Sequence, residues 1–117
     1  MRLPVRRIDM ETLVRAGREM DLIGVDPAGI RIMAPKQLHY NFKVEGLAPA
    51  QANVIKQEML SIGGEAAIAR GAASCSIDKS GAVISGTLKQ LSILIEKLKA
   101  QSFGLCEVAQ SLNAALV

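Results

Sequence analysis

A short polar junction in the second half of the chain has the residue types of an anion site. Gly86 and Thr87 follow an apolar run at 82–85 and precede a stretch with helical periodicity, so their N–H groups would lie at a helix N-terminus. Lys89 lies one turn inside that helix and adds positive charge. Thr87 and Gln90 also have the spacing of a capping box. Capping is the simpler interpretation of these residues, and anion binding is the alternative.

Three other basic residues, Lys36, Lys56 and Arg70, are candidate contacts for an anion or a partner on charge alone. The pair Gly63-Gly64 follows a helical segment, so it predicts a helix stop, whereas the glycines of a phosphate-binding loop precede a helix. Neither a dinucleotide-binding fingerprint nor a P-loop motif is present in the sequence.

No set of residues predicts catalysis or metal binding. His39 is the single histidine, and no G-x-S-x-G elbow accompanies it. Cys75 and Cys106 lack a CxxC spacing and form no recognised metal pattern with His39, so we interpret them as ordinary thiols in a reducing compartment. We expect no catalytic residue, no metal and no cofactor in this chain.

Composition limits the remaining classes of function. A length of 117 residues suits one domain, which we expect to span 1–117, and half of the residues are apolar. The net charge of +3 is spread along the chain, and aromatic residues make up only 3%, so we expect no nucleic-acid partner. The sequence shows neither a run of 18 apolar residues nor a secretory signal, which predicts a cytoplasmic protein without a membrane partner.

Hydrophobic periodicity and turn signals divide the chain into strands and helices. We expect strands at 3–8, 30–34, 38–45, 66–70 and 82–85, and helices at 10–23, from 49 to about 62, from 88 to about 101, and from 105 onward. Asp9 is the expected cap of the first helix, and 26–29 is an expected turn. Ile55 and Leu91 are expected to be buried. On the strand at 38–45, His39, Asn41 and Lys43 would face solvent.

The segments before Gly24 and before Gly63 are similar, EMDLIG and EMLSIG, and each precedes an expected strand. This repeat suggests two β-α-β halves. We therefore predict an α/β (α+β) fold, a ferredoxin-like βαββαβ sandwich with an extra strand and two C-terminal helices.

Three long segments carry a resemblance to a known family. They are IGVDPAGIRIMAPK at 23–36, KVEGLAPAQANVIKQEMLSIGGEAAIARG at 43–71 and GTLKQLSILIEKLKAQSFGL at 86–105. Together they resemble the N-terminal extension of long-form bacterial and archaeal dihydropteroate synthases. Members of that family condense hydroxymethyl-dihydropterin diphosphate with p-aminobenzoate in folate biosynthesis, on a (β/α)8 barrel and with the help of Mg²⁺.

The resemblance transfers no catalytic residue to this chain. Such a barrel needs roughly 250 residues, and the family's Asn-Val-Thr-Pro-Asp-Ser-Phe loop is missing from the sequence. The resemblance therefore implies a non-catalytic accessory domain, with the barrel of the same polypeptide as its partner. Packing on the barrel, gating it or assisting a homodimer are the roles expected. The alternative is a free-standing ferredoxin-like module that binds a partner or a small ligand through its open sheet face.

Overall fold

The computed structural model describes residues 1–116, and these divide into two compact units. The N-terminal unit is Met1–Leu38, and the C-terminal unit begins at His39. The N-terminal unit consists of helix α1 (Leu13–Leu22), helix α2 (Pro27–Met33) and a short 3₁₀ helix (Ala34–Lys36). The expected strand at 3–8 is wrong, because residues 1–8 lie outside any helix or strand. A strand requires a neighbour for its backbone hydrogen bonds, and the N-terminal unit provides none.

Helix α1 begins later than the sequence predicts. Its N-cap is Thr12, whose hydroxyl accepts a hydrogen bond of 3.0 Å from the N–H of Arg15. The predicted cap, Asp9, lies three residues upstream of this point, outside the helix. Threonine and aspartate both occur as acceptors at an N-cap, and aspartate is the more favoured of the two, so residue type alone does not select Thr12.

The expected strand at 30–34 is a helix, α2, followed by the 3₁₀ helix. The Asp26 carboxylate accepts a hydrogen bond of 2.9 Å from the N–H of Gly29, and Pro27 occupies the first helical turn. The segment expected as a turn at 26–29 is therefore the start of α2. Asp followed by Pro is compatible with both structures, because each needs an acceptor side chain followed by a residue with φ near −65°.

The C-terminal unit contains all three strands that the structure describes. In chain order it consists of β1 (His39–Leu47), α3 (Pro49–Ser61), β2 (Glu65–Ile68), β3 (Ser80–Thr87), α4 (Leu88–Lys99) and α5 (Leu105–Leu116). The predicted elements from residue 38 onward therefore occur in the predicted order. The two predicted β-α-β halves do not occur, because the N-terminal unit contributes no strand.

The three strands form one antiparallel sheet in the order β1-β3-β2. Since β3 lies between them, β1 and β2 run parallel to each other and are joined through α3, which is a split β-α-β arrangement. The register pairs Asn41 with Ser85 on one side of β3 and Ser85 with Glu65 on the other. The chain is a mixed helix and strand fold, as the sequence predicts at the level of α/β class.

The two faces of this sheet differ in burial. On β3, Ala82, Ile84 and Gly86 are buried, whereas Gly81 and Val83 are exposed. The alternation follows the two-residue period of a strand with one covered face. One hydrophobic cluster lies beneath the covered face, built from α3, α4, α5 and the sheet; its largest fully buried members are Ile55, Met59, Ile84, Leu91, Leu94, Leu98 and Leu105. The predicted burial of Ile55 and Leu91 is confirmed.

Candidate functional site

The predicted anion site at the start of α4 is occupied by its own capping box. The hydroxyl of Thr87 accepts from the N–H of Gln90 at 3.1 Å, and the N–H of Thr87 donates to Oε1 of Gln90 at 2.9 Å. Nε2 of Gln90 also donates to the carbonyl of Ile62 at 3.2 Å, which ties α4 to the end of α3. Lys89 is exposed on the first turn. The hydroxyl and the N–H of Thr87 therefore already serve the fold, whereas Lys89 is open to solvent.

Gly86 has a packing role. A Cβ at this position would lie 2.9 Å from Cε of Met59 and 3.0 Å from Oε1 of Gln90. A Cβ at Gly64 would lie even closer to Cε of Met59, and it would lie 3.1 Å from the backbone oxygen of Ser85. The Met59 side chain, which is fully buried, occupies the space that two side chains would need. A side chain at residue 86 would therefore require Met59 or Gln90 to shift.

Lys56 is an ion-pairing residue at one edge of the sheet. Its Nζ lies 3.0 Å from Oε1 of Glu65 and donates to the carbonyl of Ala66 at 2.9 Å. The N–H of Ala66 and the ammonium of Lys56 both stabilise the charged carboxylate, and they lower the pKa of Glu65. Lys56 thus joins α3 to β2, and its charge is matched by a carboxylate.

Within the C-terminal unit, Arg70 is placed away from the start of α4. Arg70 is exposed in the turn after β2, beyond the pair Ile68 and Ala82, at the opposite end of the sheet from Thr87. Thr87 lies five residues beyond Ala82 along β3, which corresponds to about 17 Å. Lys36 is exposed in the 3₁₀ helix of the N-terminal unit. Gly86, Thr87 and Lys89 form a common local group at the start of α4.

The open face of the sheet carries polar side chains at one end and small apolar ones towards the other. His39, Asn41 and Lys43 are exposed on β1, as the alternation predicts. Asn41 lies opposite Ser85, whose hydroxyl donates to Oδ1 of Asn41. Lys43 lies opposite Val83, which is 42% exposed. This face exposes polar groups to solvent, and no two of them form an acid–base or nucleophilic pair.

A cleft of about 440 Å³ lies between the edge strand β1 and helix α5. Its apolar wall includes Val44, Val108 and Leu112, and its polar groups include Glu45 and Glu107; the other lining residues are Phe42, Lys43, Gly46, Leu47, Gln51, Gly104, Ser111 and Ala115. An edge strand directs alternate N–H and C=O groups away from its neighbour. The cleft therefore combines main-chain hydrogen-bonding groups with an apolar wall, which suits an extended segment or a small amphipathic ligand.

Sequence reasoning missed this cleft because it depends on where α5 lies. Leu105, Ala109 and Leu112 of α5 pack in the hydrophobic core, and before α5 begins Nε2 of Gln51 donates to the carbonyl of Phe103 at 2.6 Å. An amphipathic pattern indicates that α5 has a buried side, but it does not indicate which strand that side approaches.

Metal binding has no support within residues 1–116. No three His, Cys, Asp or Glu side chains in this range are arranged to hold a metal ion. The Mg²⁺ that the resemblance attaches to the synthase family is accordingly assigned to no residue of this chain. Within the same range, no helix is both long and apolar enough to cross a bilayer.

Comparison with known proteins connects the chain with folate enzymes. It is 33% identical over 108 residues to a probable bifunctional folylpolyglutamate synthase/dihydropteroate synthase of Halobacterium salinarum, a match that covers 92% of this chain and 13% of that protein. It is 30% identical over 115 residues to a bifunctional dihydropteroate synthase/dihydropteroate reductase of Helicobacter pylori, covering 96% of this chain and 29% of that protein. The chain is similar to parts of two proteins that include a dihydropteroate synthase.

The similarity is confined to a fraction of each relative. The chain spans about an eighth of the archaeal protein and less than a third of the bacterial one. No protein-family model matches the sequence, and no solved structure matches it. The resemblance to dihydropteroate synthase proteins is thus supported by independent matches, whereas the position of the matching segment within them stays a prediction.

Proposed function

We propose that this chain is a non-catalytic accessory domain of a dihydropteroate synthase and that it precedes the catalytic barrel. The observation that carries the proposal is what the two relatives share. Both are bifunctional, and their second activities differ, being a folylpolyglutamate synthase in one and a dihydropteroate reductase in the other. The synthase is common to both names, and nearly the whole of this chain matches both proteins.

Relative lengths support the presence of a barrel beside the matching segment. In the bacterial relative, 115 aligned residues make up 29% of the protein, so roughly 280 residues lie outside the match. A (β/α)8 barrel typically needs about 250 residues. The part of that relative outside the match is therefore large enough for one complete synthase barrel.

The side chains of the described residues favour a supporting role over chemistry. One candidate cation, Lys56, and the cap of α4 are engaged in contacts that stabilise the fold, with Lys56 bound to Glu65 and Thr87 bound to Gln90. In the proposed assignment the domain packs on the barrel, gates it or assists its dimerisation. The expected anion contact at Gly86, Thr87 and Lys89 remains part of this proposal, as does a cytoplasmic location.

The most direct test is the reading frame that encodes the chain. The proposal expects the frame to continue past Val117 into about 250 residues with a pterin-binding signature. A stop codon after Val117 would contradict a covalent accessory domain. A second arm measures condensation of the pterin diphosphate with p-aminobenzoate: residues 1–117 alone should give no product, and the whole protein should give dihydropteroate.

A second candidate function is supported by the open sheet face and the cleft. A free-standing ferredoxin-like module would use His39, Asn41 and Lys43, or the edge of β1, to bind a partner or a small ligand. That alternative expects ligand binding or self-association by the 117-residue chain when no synthase is present, which sedimentation and thermal-shift measurements would reveal.

A further inference from the structure

The N-terminal unit leaves most of its apolar side chains in solvent. Of the fourteen large hydrophobic residues that are exposed in the described part of the chain, ten lie within residues 1–38. These ten are Met1, Leu3, Val5, Ile8, Leu13, Val14, Leu22, Ile23, Ile32 and Met33. Single exposed apolar residues are ordinary on a soluble protein, but a concentration of this kind marks a surface that contacts something else.

The exposure includes residues on well-formed helical turns. Leu22 ends α1 and is 73% exposed, and Ile23 at its C-cap is 81% exposed. Val14 in the first turn of α1 and Ile32 in α2 are also largely exposed. Ala16 and Met20 are the only residues of α1 that are buried. The helices of this unit thus carry more apolar side chains than they bury.

The charged residues of the same unit have an unusual composition. Six of the seven arginines lie in the first 38 residues, whereas six of the seven lysines lie after them. Four of the five methionines also lie in the N-terminal unit. Arginine and methionine are enriched in protein interfaces and lysine is depleted there, because a guanidinium is weakly hydrated and binds carboxylates in a fixed geometry. The six arginines, all exposed, are Arg2, Arg6, Arg7, Arg15, Arg18 and Arg31.

We infer that the N-terminal unit is the surface that docks the chain onto the synthase barrel, an inference that rests on the proposed function. The relatives supply the occupant, since about 280 residues of the bacterial relative lie outside the match. The barrel surface that fits is an apolar patch with carboxylates at its rim, because the exposed aliphatic side chains are interspersed with guanidinium groups. The C-terminal unit, which has its own core, is left free to present its sheet face and cleft.

The test measures binding between two purified chains. One is residues 1–117 and the other is the dihydropteroate synthase barrel of the same organism, studied by calorimetry and sedimentation. The test variant combines Leu22→Glu with Ile23→Glu, both at exposed positions of the N-terminal unit. The matched control is Leu60→Glu on α3, a substitution of the same kind at a position that is 44% exposed in the C-terminal unit. Circular dichroism confirms that each variant retains its helices.

The inference predicts that the wild-type chain binds the barrel, that the test variant binds at least about tenfold more weakly and that the control binds like wild type. Added salt should slow association, since arginines steer the encounter. If the double variant alters the helices, Arg18→Glu replaces it, and this variant too should bind the barrel more weakly than wild type.

Other outcomes overturn the inference in distinguishable ways. Equal binding by wild type and the double variant would overturn the docking surface while leaving the accessory-domain proposal in place. Self-association that the double variant abolishes, without binding to the barrel, would identify a second copy as the occupant. If the wild-type chain does not bind and the reading frame ends at Val117, the proposed function fails together with the inference.

Discussion

The two units of this chain differ in the proportion of their apolar side chains that they bury. The C-terminal unit contributes fifteen of the nineteen buried hydrophobic residues and only four of the fourteen large exposed ones. The N-terminal unit contributes four buried residues and ten exposed ones. Because burial of apolar area is the main favourable term in folding, the C-terminal unit gains more stability from its own core than the N-terminal unit does.

Core substitutions should give the largest difference between the units. Ile55→Ala and Leu91→Ala each remove a fully buried side chain from the C-terminal unit, so each should lower the free energy of unfolding by about 2–5 kcal/mol. Leu22→Ala is the matched change in the N-terminal unit and should cost no more than about 0.5 kcal/mol, because its side chain is exposed. Urea denaturation of all three variants measures these changes in the free energy of unfolding. A loss below about 0.5 kcal/mol for Ile55→Ala would mean that the assigned core is wrong.

The second prediction concerns close packing under the sheet. Gly64→Ala places a methyl group against the buried Met59 and near the backbone oxygen of Ser85, so it should destabilise the C-terminal unit by about 1–3 kcal/mol. Gly81→Ala is the control, since a Cβ there lies 3.4 Å from the carbonyl oxygen of Val44, an ordinary contact, on the exposed face. Its effect should stay within about 0.5 kcal/mol. Thermal unfolding measures both, and equal destabilisation by the two changes would contradict the packing described for Met59.

The same cap substitution in both units sharpens the comparison further. Thr87→Ala removes the acceptor for the N–H of Gln90 and should cost about 1 kcal/mol in the unfolding of the C-terminal unit. Thr12→Ala removes the equivalent acceptor for Arg15 in α1. It should reduce helicity while leaving the main unfolding transition within about 0.5 kcal/mol of wild type. A full loss of about 1 kcal/mol from Thr12→Ala would show that the two units unfold together.

The smallest effect is an acid-dependent one at the edge of the sheet. The pKa of Glu65 is lowered in the folded chain by hydrogen bonds from the N–H of Ala66 and from Lys56. Its contribution to stability is therefore present above the unfolded pKa and is lost as the pH falls through the lowered pKa. Glu65→Gln should be less stable than wild type at neutral pH, and the difference should shrink on acidification. A difference that grows on acidification, in urea titrations across this pH range, would mean that Glu65 has no such partner.

The sequence predicts the C-terminal unit well because its signals agree with one another. The alternation in β1, the capping box at Thr87 and Gln90, and the glycine stop at Gly63 each identify one element, and each is confirmed. Consistent local signals of this kind accompany a well-packed core. In the N-terminal unit the helix predicted at 10–23 occurs as α1, but the strands predicted at 3–8 and 30–34 are wrong. Residues 26–34 carry signals shared by a turn, a strand and a helix. Asp26 with Pro27 starts a helix there, and an apolar run alone does not distinguish a helix from a strand.

The candidate site was predictable only in part. The local group at Gly86, Thr87 and Lys89 follows from the junction of a strand with a helix, and the structure explains its residues through capping and packing. The cleft beside β1 could not be predicted, because the side of the sheet that α5 approaches is set by long-range contacts such as that of Gln51 with Phe103.

Hydrogen exchange of the isolated 117-residue chain, followed by mass spectrometry, tests the contrast between the units most directly. The account predicts that amides of β3 and α4 exchange only through global unfolding, whereas those of α1 and α2 exchange far sooner and gain protection when the synthase barrel is added. Protection of α1 and α2 equal to that of β3 in the isolated chain would contradict the account, because the N-terminal unit would then need no partner.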